Sequence, residues 1–353
     1  MDKDGCKNLY SYRLFAIICL LLIPFHKAFP SINKTNIQSS RENSSLREPI
    51  RSYLLGNAED AKVELTKDAG ALLFMGGGYD VDEAFFKRVK QHLGPGIDIV
   101  VLRTRGEDGY NQYLLDLLEA NSVETLIIDS RQKANSDELR RALQKAEFIW
   151  LAGGNQSQYH RYWTGTQIQQ NMQKLYERGG VIGGTSAGMS TLSPISYNPD
   201  GVLGAITEEV LVDFCHPSIK FSENFFKPKI PVYLTDTHFT ERNRMGRLVT
   251  FLGHYANLFP IGIAADEESS LFITSDGEAV SDGRGSVYIL ETSKSDFSLS
   301  QCQGPTIALN VDKIRLRSGD RYNFYSKATT GSRTTINVNG AMSTPYQPTN
   351  PYD

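Results

Sequence analysis

One serine in this chain stands in a setting suited to covalent chemistry. Residues 179–190 read Gly-Gly-Val-Ile-Gly-Gly-Thr-Ser-Ala-Gly-Met-Ser, so the apolar pair Val181 and Ile182 leads into small residues on both sides of Ser186. Gly184, Ser186 and Gly188 occupy the three fixed places of a Gly-x-Ser-x-Gly nucleophile elbow, where a strand turns sharply into a helix. Glycine is needed there because the turn is strained and neighbouring backbone approaches closely. Such a turn lifts the hydroxyl clear of the sheet and aims the Ala187 N–H at the oxygen of an attacked carbonyl. A glycine-rich helix–sheet junction or a phosphate cradle would use the same residue types.

A serine hydroxyl is a poor nucleophile until a base takes its proton, and histidine suits that task near neutral pH. Of six histidines, His26 falls within the first thirty residues, which read as a removable leader, while His92, His160, His216 and His254 have surroundings that read as structural or solvent-facing. His238 differs. It sits in Thr-Asp-Thr-His-Phe-Thr-Glu-Arg-Asn-Arg-Met-Gly-Arg-Leu (235–248), just past a strand-like run. Arginine forks grip carboxylates in bidentate geometry, so Arg242, Arg244 and Arg247 suit a pocket for an acidic substrate group. A solvated helix face would also hold three arginines, and Asp236 and Glu241 would neutralise part of their charge.

These groups need a scaffold, and the flanking sequence supplies one. Apolar runs at 71–75, 97–102, 123–128, 148–152 and 181–184 read as strands. Between them lie helical patterns at 82–93, 110–120, 136–146, 156–163 and 168–178; Phe85, Phe86, Val89 and Leu93 share one face of the first, and Ser136 is a good N-cap. This alternation predicts an α/β fold with a doubly wound, mostly parallel sheet covered by helices on both faces. Ligands of such sheets sit beyond the carboxyl ends of the strands, where the glycine-rich segments 76–78, 153–154 and 183–188 all fall. Further strands are expected at 233–234, 261–265, 271–274 and 287–290, and a helix at 247–252. Two β-like pieces at 306–311 and 334–338 read as closing strands before a loose end from Pro345.

The chain has 353 residues, 40% hydrophobic and 22% charged, with a formal net charge of -3. There is no basic footprint for nucleic acid. No run of 18 apolar residues suggests a membrane span. Lys3, Lys7 and Arg13 precede an apolar run over 14–25, with Ala28 beyond it, the layout of a secretory signal peptide over 1–30. Residues 31–65 read as a flexible leader, 66–300 as the α/β domain, and 301–353 as the closing strands and loose end. Cys6 and Cys19 would leave with the signal. Cys215 and Cys302 remain, free or joined in an oxidising compartment. Two cysteines without clustered histidines do not make a zinc site.

Taken together, Gly183-Gly184-Thr185-Ser186-Ala187-Gly188, Asp236-Thr237-His238-Phe239 and the Arg242/Arg244/Gly246-Arg247-Leu248 pattern resemble the cyanophycinase family of serine peptidases, which includes the aspartyl dipeptidase (dipeptidase E) type. The resemblance runs from about residue 71 to 290 and takes in Gly153-Gly154-Asn155-Gln156 and Asp266-Glu267. It implies a flavodoxin-like domain akin to class I glutamine amidotransferases, with Ser186 as nucleophile and His238 as general base. Gln156, Asp236, Thr237, Arg242, Arg244 and Arg247 would surround the substrate. Backbone N–H groups of Ala187 and of the Gly154–Asn155 turn would form the oxyanion hole that acyl transfer requires.

Two departures stand out. Cyanophycin-degrading members usually carry Gln where this chain has Thr237, which counts against specificity for the β-aspartyl-arginine link, and the 52 residues from Ser186 to His238 imply an insertion. Asp200 best fits the triad acid's place soon after the elbow, with Glu208, Glu209 and Asp213 as rivals; Pro-Asp-Gly is also an ordinary turn. The expectation is therefore an exported serine peptidase acting on an aspartyl-containing peptide through an acyl-enzyme, without metal or organic cofactor. An α-aspartyl dipeptidase and a non-catalytic binder of acidic peptides are the alternatives. A homodimer is compatible with the sequence.

Overall fold

The computed structural model describes residues 48–353 except 67, 259, 299–301 and 303. The expected signal peptide, and the leader up to residue 47, lie outside the described residues. Six strands precede Ser186: β1 (Arg51–Gly56), β2 (Ala71–Met75), β3 (Asp98–Arg103), β4 (Ser122–Ile127), β5 (Phe148–Leu151) and β6 (Val181–Thr185). Seven follow up to residue 291: β7 (Ile195–Tyr197), β8 (Phe221–Glu223), β9 (Tyr233–Asp236), β10 (Ile261–Ala265), β11 (Ser269–Thr274), β12 (Glu278–Gly283) and β13 (Val287–Glu291). The last four are β14 (Ile307–Leu316), β15 (Arg321–Asn323), β16 (Ser332–Asn339) and β17 (Tyr346–Gln347).

β2, β5 and β6 are buried at every residue, as expected of parallel strands covered on both faces. With β3 and β4 they form a parallel core in the order β4-β3-β5-β6-β2. Helices follow these strands where the periodicity places them. Ser136 caps Asp137–Lys145 by accepting from the Leu139 N–H, and Asn155 caps Gln156–Trp163 by accepting from Ser157 and Gln158.

The expectation of one mostly parallel sheet is corrected beyond this core. β1 adds antiparallel to β4, while β11, β12 and β15 extend the other edge antiparallel. A second sheet runs β17-β16-β14-β13-β10-β9-β7-β8 and is parallel only among β7, β9 and β10. Helix-for-strand alternation gives way after β10, where short turns join successive strands and only antiparallel pairing is reachable. The fold is α/β with two mixed sheets. Leu72 and Phe74 of the first and Ile263 and Ile289 of the second belong to one buried cluster.

Residues 51–56 do not belong to a flexible leader, since β1 pairs along its whole length with β4. The stretch after it is anchored too: the Ala61 N–H donates to Asp98 (2.9 Å). Nor is the end loose: β17 pairs with β16, Pro351 is buried, and Tyr352 packs against Phe239 and Tyr288. Cys215 and Cys302 form a disulfide with their Cα atoms 5.0 Å apart. Among the described residues no helix is long and apolar enough to cross a membrane.

Candidate active site

Ser186 sits between β6 and the helix Ala187–Thr191 with φ 52° and ψ -116°. A left-handed φ is costly for a residue with a side chain and persists only where its surroundings enforce it. The enforcement is visible. The Ser186 N–H donates to the Met75 carbonyl at the end of β2 (3.0 Å). A Cβ on Gly184 would lie 2.6 Å from the Gly188 carbonyl carbon, and one on Gly188 would lie 2.1 Å from the Leu151 oxygen. Both flanking glycines are thus demanded by contact as well as by pattern.

His238 follows β9 in the second sheet, also at positive φ (45°), and its N–H donates to the Gly76 carbonyl (3.0 Å). A Cβ on Gly77 would come within 2.3 Å of His238 Cε1, so the bare backbone of Gly77 leaves room for the ring. His238 Nε2 lies 2.7 Å from Ser186 Oγ, and Nδ1 lies 2.6 Å from Glu267 Oε1. An ionised carboxylate only accepts, so the Glu267 partner places the ring proton on Nδ1 and leaves the Nε2 lone pair facing the serine. Asp266 accepts from the Thr240 N–H (3.0 Å) and hydroxyl (2.7 Å), and the Glu267 N–H donates to Glu241 (3.1 Å). These bonds tie the histidine loop to the loop that carries its acid.

Burial lowers the His238 pKa from its ordinary value. Hydrogen bonding to Glu267 opposes that shift, and the positive charges of Arg242 and Arg244 reinforce it. The net direction keeps the ring neutral and able to accept a proton at neutral pH.

Asp200 is not the partner of His238. It pairs with Arg161 and holds a half-exposed loop to which Lys220 also bonds. Of its rivals, Glu208 accepts from Asn243 (2.8 Å), Glu209 lies 3.9 Å from His216, and Asp213 accepts from the Cys215 N–H (3.1 Å). The reason is topological. β7 and β8, which bracket these residues in the chain, are the outer strands on one side of the second sheet, whereas β10 lies beside β9. Asp236 faces Ala264 in that parallel pair, so the residues just past each strand meet, His238 with Glu267. The signal was present in Asp266-Glu267 directly after an apolar strand, but it points to Glu267 as the partner of His238 only once β9 and β10 are known to be neighbours.

The arginines divide. Arg247 is buried with Asp236, which takes its Nε (2.7 Å) and Nη2 (2.5 Å), while Nη1 donates to the Ala205 carbonyl (3.0 Å). Its guanidinium also lies over the Tyr197 ring at 5.1 Å. Arg247 and Asp236 are therefore an internal ion pair and not pocket walls. The helix Met245–His254 turns Arg247 inward against Asp236. Removing either partner would strand a buried charge. Arg244 is half-buried, donates to the Thr237 carbonyl (2.6 Å) and lies 3.4 Å from Asp236; burial lowers its pKa to about 10. Arg242 is exposed, and its backbone N–H donates to the His238 carbonyl (3.2 Å). Thr237 is buried, its N–H bound to Asp236, which takes it out of the expected substrate-facing set.

Gly153, one residue before the expected turn, lies closest to the serine: a Cβ there would be 3.7 Å from Ser186 Cβ. Gly154, by contrast, lies against the Tyr159 hydroxyl, which donates to the carbonyls of Ala152 and Gly153. The Asn155 side chain is spent on its helix cap. Gly154, Asn155 and Gln156 line an open cleft of about 680 Å³ whose opposite wall is the loop 199–203, with Arg105 beside them. Asp200 thus borders the cleft as part of its wall. No group of three or more metal-ligating side chains occurs among the described residues.

The sequence model described as peptidase family S51 matches residues 103–280, from the end of β3 into β12. A cyanophycinase from Trichormus variabilis is 27% identical over 219 residues, 61% of this chain and 69% of that protein. One from Synechococcus elongatus is 25% identical over 234 residues, 64% of this chain and 69% of that protein. Among solved structures, a peptidase from an acI-B1 Actinobacterium covers 72% of this chain and 97% of its own at 17% identity, with a TM-score of 0.49.

Proposed function

This chain belongs to peptidase family S51, and on that premise we propose that it hydrolyses aspartyl-containing peptides by a serine mechanism, with Ser186, His238 and Glu267 as the triad. The observation that supports this reading is the unbroken hydrogen-bonded series from Ser186 Oγ through both ring nitrogens of His238 to Glu267. Ser186 Oγ attacks the peptide carbonyl as its proton passes to His238 Nε2. Glu267 holds the ring orientation and stabilises the imidazolium so formed. The oxyanion accepts from the Ala187 N–H and from a backbone N–H of the 153–155 turn. The imidazolium then protonates the leaving amine, and an acyl-enzyme remains. Water, deprotonated by His238, releases the acid and restores the serine.

Arg242, which is exposed, and Arg244, which bonds Thr237 and Asp236 through Nη1, would pair with the aspartyl carboxylate, whereas Arg247 is buried with Nε, Nη1 and Nη2 all engaged within the protein. Among substrates, the cyanophycin-type β-aspartyl-arginine link is favoured by the likeness to cyanophycinases, and an α-aspartyl dipeptide is the neighbouring choice. Export is part of the proposal: the basic-then-apolar start and the Cys215–Cys302 disulfide both suit an oxidising compartment outside the cytosol. Purified protein offered β-aspartyl-arginine, α-aspartyl and isoaspartyl peptides side by side tests the central claim. Release of free aspartate or an aspartyl fragment from one of them supports it. Cleavage confined to peptides without an aspartyl residue rejects it.

A further inference from the structure

The two arginines assigned to the substrate flank Asn243, and this residue holds an unusual position. Its φ is 47°, in the left-handed region that asparagine enters more easily than most residues. The segment 238–244 is closed on itself by the Arg242 N–H bonded to the His238 carbonyl and the Arg244 N–H bonded to the Phe239 carbonyl (3.0 Å). The Asn243 N–H also donates within the segment, to the Thr240 carbonyl (3.1 Å), whereas its carbonyl and side chain are held from outside it. Its carbonyl accepts from the Thr207 hydroxyl, and its Nδ2 donates to Glu208. Its Oδ1 accepts from the Tyr352 hydroxyl (3.1 Å), which itself accepts from the Met245 N–H (3.1 Å). The Tyr352 ring stands edge-on to Phe239, the residue after the histidine, at 5.7 Å. Tyr352 is anchored in turn, because Lys313 of β14 donates to the backbone oxygens of Pro351 and Asp353 on either side of it.

We infer that Asn243 and Tyr352 are positioning residues that set the Arg242–Arg244 turn for its carboxylate, so that a segment beyond the part shared with the family completes the specificity pocket. The inference rests on the proposed aspartyl-peptidase reading. Tyr352 lies past residue 280, where the family match ends, and reaches the site because the segment after edge strand β17 folds back to β13, where Tyr288 meets it. Neither residue touches the serine or the histidine ring. Their effect should fall on substrate charge recognition and leave bond cleavage alone.

The test uses the full chain with Tyr352→Phe, which keeps the ring and removes the hydroxyl, and Asn243→Gly, which keeps the left-handed turn and removes the amide. Kinetics are measured on β-aspartyl-arginine or an α-aspartyl dipeptide, whichever is turned over faster, and on its analogue with the free aspartyl carboxylate replaced by a carboxamide. Losing two hydrogen bonds should raise KM for the charged substrate about tenfold, with kcat held within about twofold. The carboxamide analogue should not distinguish the variants from the parent, and amide hydrogen exchange should rise within 242–245. Equal losses on both substrates, or a lower melting temperature with KM unmoved, overturn the inference. If the parent cleaves no aspartyl peptide, the proposed function falls instead. Exchange then decides the clamp by itself: a rise confined to 242–245 sustains it, and no rise rejects it.

Discussion

Two serine–histidine pairs sit in this protein at nearly the same distance, and only one is arranged for chemistry. Ser186 and His238 are 2.7 Å apart; Ser196 and His160 are 2.8 Å apart. Ser196 lies within the regular strand β7, wholly buried, and its hydroxyl proton is already given to the Ser190 carbonyl (2.6 Å). His160 Nε2 must therefore donate to Ser196, which leaves the ring with no base to offer on that side. Its Nδ1 has no partner among the described residues, and burial pushes the pKa to about 4. Around His238 the order is reversed. A carboxylate claims the Nδ1 proton, and the serine stands at a strained turn with its hydroxyl free to give. A short Ser–His distance is thus weak evidence. What matters is which atom holds the proton and whether a third group orients the ring.

The sharpest way to break this contrast is to remove each hydroxyl. Ser186→Ala should lower kcat by about 10⁶-fold in a folded protein, as for other serine triads. Ser196→Ala should keep kcat within about threefold and cost about 1–3 kcal/mol of stability, because a buried ring N–H loses its acceptor. Steady-state turnover with parallel urea unfolding measures both, and comparable activity losses would erase the distinction.

The acids offer a smaller contrast. Glu267→Gln should lower kcat by about 10³- to 10⁴-fold, since an amide can donate to Nδ1 and stabilise the wrong tautomer. Asp200→Asn breaks only a largely exposed pair with Arg161, so activity should stay within about twofold. Strong loss in the second variant with little in the first would return the triad acid to the loop before β8.

Proton affinity separates the two histidines most gently. The acid limb of kcat/KM should lie below about 6.5, the ordinary histidine value, because burial depresses His238. Arg242→Ala removes a like charge and should move that limb upward, while Glu267→Gln removes what raises the pKa and should move it down. A pH–rate profile unmoved by Arg242→Ala would separate that arginine from the site. His160 registers in stability instead. Its folded pKa is about 4 against about 6.5 when unfolded, so the unfolded chain binds the proton first. Stability should decline as pH falls from about 6.5 toward 4, and His160→Gln should flatten that slope in urea midpoints.

The local parts of this protein were legible from its sequence. The strands β2 to β6, their helices, the glycine pair around Ser186 and the choice of His238 follow from periodicity, close-packing glycines and a run of charged residues beside a strand end. Those are short-range properties, set within about ten residues by backbone sterics and side-chain burial. What the sequence could not decide was pairing across distance. The second sheet, the place of β1, the union of Cys215 with Cys302 and the return of Tyr352 to the arginine turn depend on which segments meet in space. The same holds for Glu267 in place of Asp200, and for Arg247 turning inward to Asp236 while Arg242 stays exposed. Each turns on strand order and helix face, and neither is encoded by the identity of the neighbours along the chain.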